Sequence, residues 1–237
     1  MHAFCVGDGP PVVLVHGYGL SGAYMLPLAR VLADASCSVF VPDLPGQGRS
    51  EPLRRREGIG DIADALGAWL EANALRRPFF VANSLGCQVV TELASRGSEW
   101  AGPLVLVGPT VDPERRNARH QLIGALRDSA AEPYSLLSLA ARDNATTGIR
   151  GLLSTARIAL ADRIEDRLPL IEQPTVVVWG ERDGFVSQGW VERVATLLPR
   201  GKLIRVPGES HAVHYTRPEV IGEIVVELFA EDGQAGA

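Results

Sequence analysis

Six short, almost wholly apolar runs punctuate the chain, and most lead through a loop signal into a stretch with helical spacing. They are Val12 to Val15, Ser38 to Val41, Phe79 to Ala82, Leu104 to Val107, Thr175 to Trp179 and Leu203 to Val206. Runs this short and apolar on both faces fit strands of a parallel sheet covered by helices, since a solvated face would show alternation with polar residues. Helical spacing appears at 22–34 through Leu26, Ala29, Leu32 and Ala33, and at Ile59 to Leu75 through Ile62, Ala65, Leu66, Trp69 and Leu70. Further helices are predicted over 88–96, 188–198 and 218–230. Strands alternating with helices imply right-handed crossovers, so the predicted fold is α/β with a doubly wound, mainly parallel sheet.

Between about residues 112 and 168 the alternation stops. Pro113 to Arg127, Tyr134 to Arg142 and Thr147 to Ile164 carry helical patterns, and no convincing strand lies among them. Such a stretch, leaving the sheet after one strand and returning before the next, reads as a small helical cap inserted into a core formed by 1–111 and 169–237. Leu122, Leu126, Leu136, Leu137, Leu152 and Leu153 are its candidate pocket-lining or packing positions.

Composition narrows the function classes. A chain of 237 residues holds one substantial core, and a net charge of -5 leaves no basic footprint for nucleic acid and no polybasic membrane patch. Cys5, Cys37 and Cys87 are too few and too scattered for a disulfide framework or a metal cage. No apolar run approaches a membrane span, and the amino terminus lacks the pattern of a signal peptide. The expectation is a cytoplasmic protein, monomer or homodimer, acting on a small-molecule substrate. The glycine- and alanine-rich tail from Asp232 reads as disordered.

The chemistry concentrates at strand ends. Phe79-Phe80-Val81-Ala82-Asn83-Ser84-Leu85-Gly86-Cys87 has the layout of a nucleophile elbow, a sharp strand-to-helix turn that lifts a serine oxygen above the sheet edge. The turn needs small residues two before and two after the serine, here Ala82 and Gly86. A serine hydroxyl needs a base within hydrogen-bond reach and a third group to orient that base. Asp183 and Asp43 are the carboxylate candidates, and His16, His120, His211 and His214 the candidate bases. Parallel strands deliver their C-terminal loops to one edge, so Ser84, Asp183 and His211 converge there, in the chain order serine, acid, histidine that the elbow motif predicts. Asp43 reads as a residue bonding the backbone of its own glycine-rich turn. His16 reads as a structural hydrogen-bonding group, His120 as solvated, His214 as a pocket or surface residue, and Cys87 as a packing thiol.

The ordered set of motifs resembles the α/β-hydrolase family over about residues 10 to 230. His16-Gly17-Tyr18-Gly19 is similar to the family's oxyanion loop, and Asp43-Leu44-Pro45-Gly46-Gln47-Gly48-Arg49-Ser50 to its D-x-x-G-x-G-x-S loop. Gly180-Glu181-Arg182-Asp183 resembles the acid loop, and His211 with Arg217-Pro218-Glu219 resembles the base loop. Ala82 in place of the first elbow glycine and Ser210 before the base depart from the pattern, both by small side chains. The chain starts so close to its first buried strand that the antiparallel strands usual at the family's amino edge must be largely missing.

The resemblance implies a serine hydrolase acting through an acyl-enzyme, with Ser84 as nucleophile, His211 as general base and Asp183 as orienting acid, and with no cofactor or metal. It also implies an oxyanion hole from the backbone N–H groups of Tyr18 and Leu85, and a substrate pocket touching Tyr18, Leu20, Leu85 and Phe185. Cleavage of a carbon–carbon bond in a vinylogous diketone, or a lyase reaction, uses the same triad and stays open at this point. So does a non-catalytic relative that keeps the triad for ligand capture. The haloalkane and epoxide branches place aspartate at the elbow, and Ser84 argues against them.

Overall fold

The computed structural model describes residues 1–54, 58–97 and 99–233. Seven strands form one sheet: β1 (Ala3–Val6), β2 (Pro11–Val15), β3 (Ser38–Pro42), β4 (Phe79–Asn83), β5 (Leu104–Val107), β6 (Thr175–Gly180) and β7 (Gly201–Val206), in the order β1-β3-β2-β4-β5-β6-β7. Every pairing is parallel except that of β1 with β3. All six predicted strands are present. The seventh, β1, is a four-residue antiparallel edge whose side chains stay partly or fully exposed, so it carried no buried-run signal.

The sheet is doubly wound because its strands feed two cores. Val13, Val15, Phe80 and Ala82 pack with α2 (Ile59–Ala72), α3 (Leu85–Ala94) and α6 (Gln188–Leu197) on one face. Val12, Leu14, Phe79 and Val81 pack with α1 (Leu26–Asp34), the short α7 (Val213–Thr216) and α8 (Pro218–Asp232) on the other. Neighbouring residues of one strand thus serve opposite cores, which is the pleat's period of two written in a run of uniform hydrophobicity. Phe79 and Phe229 stack across the second core with ring centroids 3.8 Å apart. The elbow helix α3 starts at Leu85, three residues before its apolar spacing suggested. Asp232 closes α8 rather than opening a tail, and residues 234–237 lie outside the described residues.

Between β5 and β6 the described residues form α4 (Ala118–Ala131), α5 (Tyr134–Ala161) and short 3-10 turns, with no strand. Where the sequence suggested a break near Asp143, α5 runs through. It kinks instead at Gly148, whose φ of +70 and ψ of 159 leave the helical region. This segment is fastened to the sheet's C-terminal loops. Asp143 Oδ2 accepts from Ser21 N–H at 2.9 Å and from Ser21 Oγ at 2.6 Å. Tyr18 Oη donates to the Leu152 carbonyl at 3.0 Å, and Ser187 Oγ donates to Asp112 Oδ2 at 2.6 Å. Among the described residues, no helix is long and apolar enough to cross a membrane.

Candidate active site

Ser84 sits between β4 and α3 with φ +56 and ψ -117, a region that L-residues with side chains rarely occupy. Two backbone bonds hold it there: its N–H donates to Val107 O at 3.0 Å, and its carbonyl accepts from Cys87 N–H at 3.0 Å. The small flanking residues follow from the close crossing of helix and sheet. A Cβ on Gly86 would meet the Val15 carbonyl at 2.5 Å, whereas Ala82 has room for its methyl in the core. A Cβ on Gly17 would stand 3.2 Å from Ser84 Cβ, so the loop of His16 to Gly19 lies directly beside the elbow. Leu85 is the first residue of α3, so its N–H has no partner within the helix and is free to serve an oxyanion, while its side chain is buried in the core.

The acid and base loops are joined before their side chains meet. Arg182 N–H donates to Glu209 O at 2.8 Å and Glu181 N–H to Val206 O at 3.2 Å, closing the ends of β6 and β7 together. Glu209 in turn accepts from Thr216 Oγ1 at 2.7 Å and Arg217 Nε at 2.9 Å, which accounts for the arginine downstream of the base. His211 Nδ1 donates to Asp183 Oδ2 at 2.7 Å. The other carboxylate oxygen, Oδ1, accepts from the N–H groups of Phe185 and Val186 at 2.7 and 3.1 Å. Burial of the imidazole pulls its pKa down, but the charge and hydrogen bond of Asp183, with Asp128 and Glu132 farther out, hold it up at about 9. The Phe185 ring lies against it at 4.6 Å between centroids.

Among the described residues no hydrogen bond joins the Ser84 and His211 side chains. Ser84 Oγ lies 3.5 Å from Thr110 Oγ1, and His211 Nε2 is buried with no hydrogen-bond partner among the described residues. Asn83, the residue before Ser84, ties the two sides: its Nδ2 donates to the carbonyl of His211 at 3.2 Å and to that of Val107 at 3.1 Å. A contact that forms only on substrate binding is common in unliganded active sites.

The other candidates have structural partners. Asp43 is buried and accepts from Gly22 N–H at 2.6 Å and Arg49 N–H at 2.8 Å, bonding its own turn as expected. His16 Nε2 accepts from Leu44 N–H at 2.9 Å and Nδ1 stands 2.9 Å from Gly17 O, an arrangement that places the proton on Nδ1. Cys87 is fully buried, and burial drives its thiol far above the usual range. His120 is exposed. His214 is neither a pocket nor a surface residue: it is wholly buried edge-on to Tyr24 at 4.3 Å, and burial, then the His211 charge, push it down to about 3. Leu20 is half-buried against the second core, and Tyr18 is 40% exposed at the rim.

Sequence reasoning missed four residues here: Asn83, Thr110, Gly108 and Asp128. Gly108, just past β5, has φ +53, and a Cβ there would stand 2.7 Å from His211 Nδ1 and 3.0 Å from Asp183 Oδ2. Its signal was a glycine closing a strand, too common to single out. Asp128 of α4 is buried, and donor atoms of Asp128, Asp183 and His211 lie within 4.8 Å of one another. This is the one such cluster among the described residues, and a cation there would compete with the Asp183–His211 hydrogen bond.

The chain matches the profile of the alpha/beta hydrolase family over residues 12–224. It is 26% identical to a pimeloyl-[acyl-carrier protein] methyl ester esterase of Vibrio cholerae, covering 94% of this chain and 95% of the relative. It is 30% identical to part of the polyketide synthase ThaQ of Burkholderia thailandensis, covering 95% of this chain but spanning only 12% of that protein. Among solved structures, it is similar to an enol-lactonase from Burkholderia xenovorans (TM-score 0.81, 18% identity, 97% of this chain and 96% of that one). It is similar too to a thermophilic esterase from Thermogutta terrifontis (TM-score 0.77, 21% identity, 97% and 93%).

Gly108→Ala tests the packing beneath the imidazole. The added methyl displaces the ring, and hydrolytic turnover is expected to fall about 100-fold. The left-handed backbone costs about 1–2 kcal/mol of stability, read from the melting temperature. Unchanged turnover in a folded variant contradicts the placement of His211 at the reacting centre. The elbow, the joined acid and base loops and the profile match agree: the chain belongs to the alpha/beta hydrolase family and is an enzyme of hydrolase type.

Proposed function

We propose that the protein is a serine esterase that cleaves a small carboxylic ester through an acyl-enzyme, with Ser84, His211 and Asp183 as its triad. The observation that carries this reading is the 2.7 Å hydrogen bond from His211 Nδ1 to Asp183, which leaves Nε2 as the ring's free nitrogen on a loop that Asn83, the neighbour of the strained Ser84, holds by its side chain. In the reaction, Nε2 takes the proton of Ser84 Oγ as the oxygen attacks the ester carbonyl. The Leu85 N–H, with that of Tyr18, receives the developing oxyanion. The imidazolium then returns its proton to the leaving alcohol, and water releases the acid by the same route. Residues 112–168 act as the cap, and Tyr18, Leu20 and Phe185 line the approach beneath it. Relatives named as methyl ester esterases support the ester over carbon–carbon cleavage or ligand capture.

One observation favours an ester presented by an anionic partner such as a carrier protein. Across α4 and α5 every arginine (Arg119, Arg127, Arg142, Arg150 and Arg157) is exposed. The three carboxylates of that stretch are Asp128 and Asp143, both buried, and Glu132, which is half-buried. Arg142 pairs with the buried Asp143 at 2.9 Å, so the cationic character of the outer face comes from Arg119, Arg127, Arg150 and Arg157, on a chain of net charge -5. The relatives' names join an acyl-carrier protein to a methyl ester.

Ser84→Ala is expected to lower p-nitrophenyl ester hydrolysis by about 10³-fold or more with the fold intact, and undiminished hydrolysis overturns the proposal. Arg150→Glu with Arg157→Glu is expected to raise KM about 10-fold for a carrier-linked methyl ester and to leave p-nitrophenyl acetate unaffected. An unchanged KM for the carrier-linked substrate removes the carrier reading and leaves the esterase.

A further inference from the structure

Helix α4 is held to the body in an unusual way. Its two buried residues are Gly124 and Asp128, while Leu122 and Leu126 are 62% and 64% exposed. Gly124 lies against Gly184 so closely that a Cβ on either would stand 2.9 or 2.8 Å from the other's carbonyl. That approach carries Asp128 into the interior, where Oδ1 accepts from Gly184 N–H at 2.9 Å, and Oδ2 is buried with no hydrogen-bond partner among the described residues. Gly184 is the neighbour of Asp183, so the helix grips the acid loop one residue from the carboxylate that orients the imidazole.

A carboxylate is a poor choice for anchoring a helix. An apolar side chain at this position would stabilise the contact, whereas a second acid next to Asp183 pays desolvation and repulsion together. Burial first, then the charge of Asp183, raise the Asp128 carboxyl to about 6 against the opposing pull of His211. A site that retains a costly charge against a catalytic pair is a candidate for function over stability.

We propose that Asp128 is a positioning residue for the general base: a buried carboxylate, delivered by α4, that seats the Asp183 loop through Gly184 and adds its negative charge to the field on the His211 imidazole. The proposal rests on His211 being the base of the esterase reaction. Through it the seating of the cap reaches the chemistry, since a lifted α4 takes away both the loop contact and the charge. The titratable groups around Asp128 are Asp183 on the acid loop, His211 on the base loop, Glu132 at the end of its own helix and Tyr24 on the 3-10 turn before α1. Asp183 and Glu132 act on the imidazole in the same direction as Asp128, and the buried His214 beside it is held neutral.

The test compares Asp128→Asn, which keeps an acceptor for Gly184 and loses the charge, with Asp128→Ala, which loses both. An ionised Asp128 favours the imidazolium, so its removal frees the base at lower pH. The acid limb of kcat/KM is expected to move down by about 1 pH unit in both variants. Plateau kcat is retained in Asp128→Asn and falls about 10-fold in Asp128→Ala, with KM little changed. The melting temperature of Asp128→Asn above pH 6 is expected to be no lower than that of wild type. The His211 ring is followed in parallel by NMR titration, assigned with His211→Gln, which reads its pKa without turnover. A His211 titration and an acid limb that stay in place in Asp128→Asn overturn the proposal. If no variant nor wild type hydrolyses esters while the NMR shift appears, the esterase reading fails and the coupling of Asp128 to the imidazole stands.

Discussion

The hydrogen bond between Asp183 and His211 is the interaction on which the site depends. It joins two loops from neighbouring strand ends, fixes which ring nitrogen carries the proton, and keeps a buried imidazole compatible with positive charge. The geometry around it serves that bond. Asp183 spends its second oxygen on two backbone N–H groups, Gly108 gives up its side chain to make room, and Arg182 and Glu209 close the backbones on either side. A carboxylate so thoroughly solvated by the protein needs no water, and its imidazole partner is held in one orientation as a consequence.

Ser84 is positioned by other means. Its strain is local and structural, imposed where β4 must turn into α3 with the helix almost touching β2 at Gly86. Asn83 bridges the two, because its side chain reaches the His211 loop while the next residue is Ser84. The sheet brings both to one edge for the reason that all its central strands run the same way. Hydrophobic burial builds the frame, and a handful of backbone-directed hydrogen bonds sets the last ångström.

How much of this could be read from the sequence divides along the same line. The five inner strands were legible because a doubly covered parallel strand is apolar on both faces, and the parallel edge strand β7 through its short run from Leu203 to Val206; Ser84, Asp183 and His211 stood out as candidates because each follows such a run. The edge strand β1 was not, since its exposed residues give no such run. Gly108, Thr110 and Asp128 gain their roles only from tertiary approach: a glycine beneath a ring 103 positions away, or an acid on a helix packed through glycines, leaves no local pattern. His214 misled for the same reason, as nothing nearby in sequence announces the Tyr24 ring that covers it. The helical segment was located correctly between β5 and β6, but its internal break was set by the backbone freedom of Gly148 and not by the polar residues near Asp143.

The most direct measurement of the central claim is mass spectrometry of the chain after reaction with a fluorophosphonate, in wild type and in Asp183→Asn. The account predicts one phosphonyl group per wild-type chain, mapped to the peptide at Ser84, and a labelling rate lower by about 10⁴-fold once Asp183 no longer holds the imidazole. An adduct on another residue, or an undiminished rate in Asp183→Asn, would contradict it.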